Sequence, residues 1–184
     1  MAERTTIIDF IEKYTRQYGP DTYLREKVDG EWKEISFDQT RNEAYRIGAG
    51  LMALGVEKGD KIALLSEGRS MWMLSEFGAM YAGATDVPLS VNLGEGQDLV
   101  FRINHSESKW VLVSGYQLPK IRKILPECPQ IEKVIVFDDT AFDWDSLEEK
   151  EVKMSEIQAL GDKFLAEHED LFIARYNSVG PDDY

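Results

Sequence analysis

Gly55-Val56-Glu57-Lys58-Gly59-Asp60-Lys61-Ile62-Ala63-Leu64-Leu65 joins a helix end to a buried strand through a short polar turn. Upstream, Ala44, Ile47, Leu51 and Leu54 recur at helical intervals and share one face. Ser36 and Gln39 have the spacing of a capping box and open that helix. Gly55 suits the left-handed position that closes it. Downstream, Ile62-Ala63-Leu64-Leu65 is apolar on both faces, which predicts an interior strand of a parallel sheet.

The alternation extends in both directions. A helix is expected from about Thr5 to Tyr18, with Ile7, Ile8, Ile11 and Tyr14 toward the core and Gly19-Pro20 as its stop. Extended pieces at Tyr23 to Val28 and Trp32 to Ile35 flank Asp29-Gly30, a strong hairpin signal. Met71 to Ala82 is apolar nearly all round and predicts a helix buried on more than one side. Strands are expected at Thr85 to Pro88, Trp110 to Val113 and Val134 to Phe137. Helices are expected at Gly96 to His105 and Leu118 to Leu125. A last helix has Ser155 and Gln158 at capping-box spacing and Ile157, Leu160 and Phe164 as its apolar stripe. Strands alternating with helices predict an α/β fold, a mostly parallel sheet with flanking helices plus a small N-terminal β-hairpin. Residues 1–36 hold the first helix and the hairpin, and residues 37–184 the α/β part.

The 184 residues suffice for about one domain, and 43% hydrophobic content supports a real core. A net charge of −13 disfavours nucleic acid and anionic lipid surfaces. A lone cysteine, Cys128, forms no internal disulfide and fits a reducing, cytoplasmic setting. Asp138, Asp139, Asp143, Asp145, Glu148, Glu149 and Glu151 crowd one segment, best taken as a solvated connection.

Signatures of chemistry are sparse. Gly94-Glu95-Gly96 carries a carboxylate that would repel phosphate, and no Walker-type loop occurs. Ser114-Gly115 is a strand-to-helix turn without further glycines. His105 and His168 lie far apart in sequence and each is expected at a helix end; Cys128 has no companion at metal-ligand spacing. Asp138-Asp139 sits at a strand's C-terminal end, where α/β ligands often bind, yet solvation is the better account. No catalytic, cofactor-binding or metal-ligating residue is assigned.

Several motifs in order resemble the adenylate-forming superfamily, specifically the N-terminal part of its long-chain fatty-acid–CoA ligases. Trp32-Lys33-Glu34-Ile35-Ser36-Phe37 is similar to its opening strand and helix cap. The segment from Gly55 to Ala63 is similar to its Gly-Val-x-x-Gly-Asp-basic-Val-Ala motif. Ser66-Glu67-Gly68-Arg69 with Trp72 resembles Ser-Glu-Asn-Arg-x-x-Trp, with Gly68 in place of Asn. Gly78-Ala79-Met80-Tyr81-Ala82-Gly83-Ala84, Val87-Pro88-Leu89 and Ile103-Asn104-His105-Ser106-Glu107-Ser108-Lys109 resemble segments that follow. Gly180-Pro181-Asp182-Asp183 resembles the lead-in to the family's Thr-Ser-Gly-Thr-Thr-Gly phosphate loop.

The resemblance implies a two-step reaction, carboxylate plus ATP to acyl-adenylate and pyrophosphate, then transfer to coenzyme A. It implies ATP, magnesium and coenzyme A for the full-length enzyme and no cofactor in this portion. It also implies the remainder of the parent enzyme as partner, a fatty acid as the parent's substrate, and a cytoplasmic or membrane-peripheral location. This portion then supplies scaffold and is inactive alone. An open sheet edge and uncovered apolar surface predict a homodimer. Three alternatives stay open: a ligase for another carboxylic acid, a self-contained flavodoxin-like binding module, and an interaction protein using the acidic segment.

Overall fold

The structure, a computed structural model, describes residues 5–137 and 143–183. Helix α1 (Ile7–Tyr18) precedes a hairpin of β1 (Thr22–Val28) and β2 (Glu31–Ser36). Then follow α2 (Phe37–Leu54), β3 (Lys61–Leu65), α3 (Ser70–Tyr81), β4 (Thr85–Leu89), α4 (Gln97–Ser106) and β5 (Trp110–Val113). The chain continues through α5 (Leu118–Ile124), β6 (Lys133–Val136), β7 (Glu151–Lys153) and α6 (Met154–Asn177). β3 to β7 form one all-parallel sheet in the order β4-β3-β5-β6-β7. The strand order reverses between β3 and β5, the doubly wound pattern.

Sheet alternation divides the core. Ala63, Leu65, Val111, Val113, Val134 and Val136 point to one face, covered by α4 and α5 through Leu99, Ile103, Leu118 and Ile121. Ile62, Leu64, Leu112 and Ile135 point to the other, covered by α2, α3 and α6 through Ile47, Leu51, Leu74 and Ile157. A third cluster lies outside that helical layer, where Ile8 of α1 meets Tyr45, Phe77, Tyr81 and Phe172. α3 therefore buries Leu74 and Ala79 against the sheet side and Phe77 and Tyr81 against α1, which explains its all-round apolar sequence.

The local signals act as their chemistry dictates. Ser36 Oγ accepts from the Gln39 amide at 3.2 Å, and the Ser36 amide donates to Gln39 Oε1 at 2.9 Å. Gly55 closes α2 at φ 108°, a conformation costly for any residue with a Cβ. Asp29 and Gly30 both take positive φ in the hairpin turn. The hairpin rests on the helices, not on the main sheet: Leu24 packs into the α2/α3/α6 core, and Glu26 accepts from the Ser70 amide at 3.0 Å.

Three expectations are corrected. On α1, Ile8 is buried, but Ile7 (53%) and Tyr14 (37%) are exposed; Thr15 lies inside instead. Ser155 does not cap α6. The N-cap is Lys153, with no side-chain cap bond, because β7 runs directly into the helix. His168 stands, as expected, where one helical segment ends and the next begins, at a kink within α6 with φ −144° and ψ 35°. The acidic segment is not wholly solvated. Its Glu151 opens β7 with a side chain 0% exposed, clamped by Arg122. Asp138-Asp139 lies outside the described residues.

Candidate site at the switch point of the sheet

In a doubly wound sheet, ligands bind beyond the carboxyl ends of the strands where the order reverses. Here that crevice lies between the ends of β3 and β5, at Ser66-Glu67-Gly68-Arg69 and Ser114-Gly115-Tyr116-Gln117. Gln117 Nε2 donates to Glu67 Oε1 at 2.6 Å. Burial raises the Glu67 carboxyl, but the Gln117 amide, backbone donation and the nearby Ser114 hydroxyl outweigh it and hold it below its ordinary value. Ser114 is 0% exposed, and among the described residues its Oγ finds no hydrogen-bond partner of good geometry; Glu67 Oε2 and Gln117 Oε1 are likewise shielded and without a partner among the described residues.

The unfilled atoms are a carboxylate oxygen, an amide carbonyl oxygen and one hydroxyl. The carboxylate and carbonyl oxygens only accept, the hydroxyl can also donate, and a triphosphate needs donors. The Glu67 and Gln117 oxygens oppose a phosphate, although oxygens of this kind are what magnesium takes, and no step of nucleotide chemistry is assigned to these residues. Gly68 is exposed with no atom within 4 Å of an added Cβ, so the asparagine of the resembled motif has room there.

The other sequence candidates scatter. Glu95 pairs with Lys123 at 2.6 Å on the surface. His105 stacks on Phe101 with ring centroids 5.2 Å apart, and His168 meets Phe164 edge-on at 5.2 Å. Cys128 is fully buried, and burial followed by the Glu127 charge pushes its thiol up, away from reactivity. Among the described residues no group of three or more His, Cys, Asp or Glu is placed to hold a metal. None of their helices is long and apolar enough to cross a membrane.

At the opposite end of the sheet, the Glu57–Asp60 turn is a polar knot. Asp60 accepts from the Glu57 amide at 3.0 Å, from Lys109 Nζ at 2.7 Å and from Trp110 Nε1 at 3.3 Å. Lys58 donates to the Ser178 carbonyl at 2.6 Å and pairs with Asp183 at 2.8 Å, while the Gly180 amide donates to Asp183 at 2.6 Å. Residues 178–183 are thus tied to the motif segment that begins β3. Sequence reasoning missed the Asp60 knot; Lys109-Trp110 at the start of a neighbouring strand was its available signal. It also missed Asp86, a charged residue inside an otherwise apolar strand.

Against this geometry stand the comparisons with known proteins. The family model for AMP-binding enzymes matches residues 11–178. Fatty acyl-CoA synthetase A of Dictyostelium discoideum is 37% identical over 92 residues, covering 50% of this chain and 14% of that protein. A long-chain-fatty-acid–CoA ligase of Thermus thermophilus is 26% identical over 141 residues, covering 77% of this chain and 26% of that protein. The anthranilate CoA ligase AuaEII, solved with anthranoyl-AMP, superposes with a TM-score of 0.74 at 23% identity, over 86% of this chain and 29% of that one. The chain therefore spans less than a third of each of these proteins.

Proposed function

The chain belongs to the AMP-binding enzyme family, and on that premise we propose that it is the N-terminal scaffold portion of an ATP-dependent fatty-acid–CoA ligase, inactive by itself. The parent reaction is carboxylate, ATP and coenzyme A to acyl-CoA, AMP and pyrophosphate. The observation that carries the scaffold reading is the switch-point crevice. The fold offers the place for a nucleotide, but the free oxygens of Glu67 and Gln117 there are acceptors, and the two turns carry no phosphate-loop sequence. The names of the matching Dictyostelium and Thermus proteins support the fatty-acid reading.

The purified chain, given ATP, magnesium and a long-chain fatty acid, is expected to release no pyrophosphate. The parent protein is expected to release it under the same conditions. Turnover by the chain alone overturns the scaffold reading. A parent active only on shorter or aromatic acids overturns the fatty-acid one.

Two further readings have a specific observation behind them. The anthranilate ligase superposes over most of the chain, which favours a ligase for another carboxylic acid. Numbered within the sheet, the strand order is 2-1-3-4-5, that of flavodoxin-like modules. Flavin co-purifying with the chain would support that module, although Glu67 stands where it would bind phosphate.

A further inference from the structure

Aromatic rings from four elements converge on one cavity of about 140 Å³. α1 supplies Phe10 and Tyr14, whose rings lie within 10° of parallel with centroids 6.1 Å apart. β1 supplies Tyr23, α2 Phe37 and α3 Phe77. The Tyr23 ring stands 4.6 Å from that of Phe37 and 6.3 Å from that of Phe77, centroid to centroid. Solvent reaches the cavity, because Phe10, Tyr14 and Tyr23 are 45%, 37% and 39% exposed. No charged side chain is among the described residues that line it. Of the two threonines there, Thr40 donates its hydroxyl to the Ser36 carbonyl at 2.8 Å, and the Thr15 hydroxyl oxygen is shielded.

These features select among guests. Water gains few hydrogen bonds in such a lining, and an apolar cavity of about 150 Å³ admits a benzene-sized molecule. A primary ammonium or a guanidinium would lose water from its N–H groups, with no carboxylate in the lining to replace it. A neutral hydrocarbon gains from burial alone. A quaternary ammonium has no N–H to strand, is about as large as the benzene-sized guest, and is attracted by the quadrupoles of the rings as well. The Tyr14 ring already draws one cation: Lys13 Nζ lies 5.3 Å from its centroid, while Lys13 is not among the described lining residues. The net charge of −13 favours a cationic guest over an anionic one.

We propose that this cavity between α1 and the hairpin is a binding site for a quaternary ammonium group, held by the rings of Phe10, Tyr14, Tyr23, Phe37 and Phe77. This is independent of the ligase reading. A small free molecule of the choline type and a trimethylated lysine side chain share this chemistry.

The test titrates choline into the chain and follows the amide resonances of α1 and β1, where saturable shifts are expected. The neutral isostere 3,3-dimethyl-1-butanol replaces the nitrogen by carbon and should bind about tenfold more weakly. Ethanolamine, whose ammonium keeps its N–H groups, should also bind about tenfold more weakly. Tyr14→Leu and Phe10→Leu keep apolar bulk at partly exposed positions and remove a ring, and each should weaken choline binding about fivefold, whereas Tyr14→Phe should hold it within about twofold. Nα-acetyl-Nε-trimethyl-lysine methylamide, run in parallel, identifies the source. Binding tighter than choline assigns a trimethylated lysine of a polypeptide, and weaker binding assigns a free quaternary amine. Absence of saturation, parity of the butanol or of ethanolamine with choline, or unchanged binding by folded Tyr14→Leu and Phe10→Leu overturns the proposal.

Discussion

Asp60 and Lys109 meet at 2.7 Å, joining the turn that precedes β3 to the residue that precedes β5. The Asp60 side chain is only 10% exposed and collects two further donors, so one carboxylate fixes the relative start of two neighbouring strands. The aspartate of the Gly-Asp motif is on this evidence an architectural residue, remote from the carboxyl ends where ligands bind in such sheets.

Asp60→Ala should therefore destabilise the fold by about 1–3 kcal/mol, the cost of removing a shielded, charged acceptor from three donors. The effect is pH-dependent. Burial raises the Asp60 carboxyl, but Lys109, the Glu57 amide and the Trp110 indole outweigh it and hold it below its ordinary value. A depressed folded value gives stability that is complete above the unfolded value of about 3.9 and is lost as pH falls through the folded one. Chemical denaturation between pH 7 and pH 2 should show a steeper acid loss in wild type than in Asp60→Asn. Parallel curves would deny Asp60 this role.

Glu12 makes the corresponding knot in the outer cluster. Its Oε1 accepts from Arg41 Nε, Tyr45 OH and Tyr81 OH, each at 2.9 Å, binding α1 to α2 and α3. Burial pushes the Glu12 carboxyl up, and these three donors pull it below its ordinary value. Glu12→Ala leaves a half-buried guanidinium and two phenols short of an acceptor and should cost about 3–5 kcal/mol. Tyr81→Phe removes one donor and should cost about 1 kcal/mol. Equal losses in the two variants, read from urea midpoints, would show that Tyr81 is the main prop and Glu12 incidental.

How far the sequence carries depends on whether a signal is local. The capping box at Ser36, the periodicity of α2 and the apolar run of β3 are satisfied within a few residues, and the structure follows them. Ser155-Gln158 has the same spacing as Ser36-Gln39, yet the neighbouring β7 pairs with β6 and sets the start of α6 earlier, so tertiary pairing overrides the cap. β7 has three residues and hides in an acidic run, because Glu151 is neutralised by Arg122, 29 positions away in sequence. At the candidate site, Ser114-Gly115 is legible as a strand-to-helix turn and Ser66-Glu67 only as part of a motif. Their meeting required the reversal of strand order, which no local spacing encodes. The sheet edges bear on self-association in the same way. β4 carries Pro88 and Asp86 and β7 is short, features that discourage edge pairing and weaken the basis for expecting a homodimer through a sheet edge.

The crossing of α2 and α6 sets a third test. A Cβ on Gly161 would fall 1.8 Å from the Arg46 carbonyl oxygen, and one on Gly50 would fall 2.0 Å from that of Ile157. The two backbones touch because neither residue has a side chain, and the obstacle on each side is a carbonyl that cannot rotate away. Gly161→Ala should cost about 3 kcal/mol through forced separation of the helices, and should loosen the Arg46–Asp162 pair, which spans 2.7 Å across the same crossing. A neutral Gly161→Ala in thermal denaturation would mean that α6 docks less closely than the distances imply.

Arg122 and Glu151 separate two accounts of a buried ion pair. Arg122 Nε and Nη2 donate to the two Glu151 oxygens at 2.8 and 2.7 Å, and Nη2 also donates to the Ser146 carbonyl at 2.7 Å. The Glu148 amide adds a donor to Glu151 at 2.9 Å, so the carboxylate is saturated where its side chain is wholly shielded. Arg122→Met strands that carboxylate and should cost about 3–5 kcal/mol, whereas Arg122→Met with Glu151→Met removes both charges and should lie within about 1 kcal/mol of wild type. The double variant tests whether the pair stabilises β7 or only specifies its place. Recovery of stability with the β6–β7 amides still protected from hydrogen exchange assigns the hold on β7 to packing and backbone pairing. A double variant as unstable as Arg122→Met alone, with those amides exchanging freely, assigns it to the ion pair.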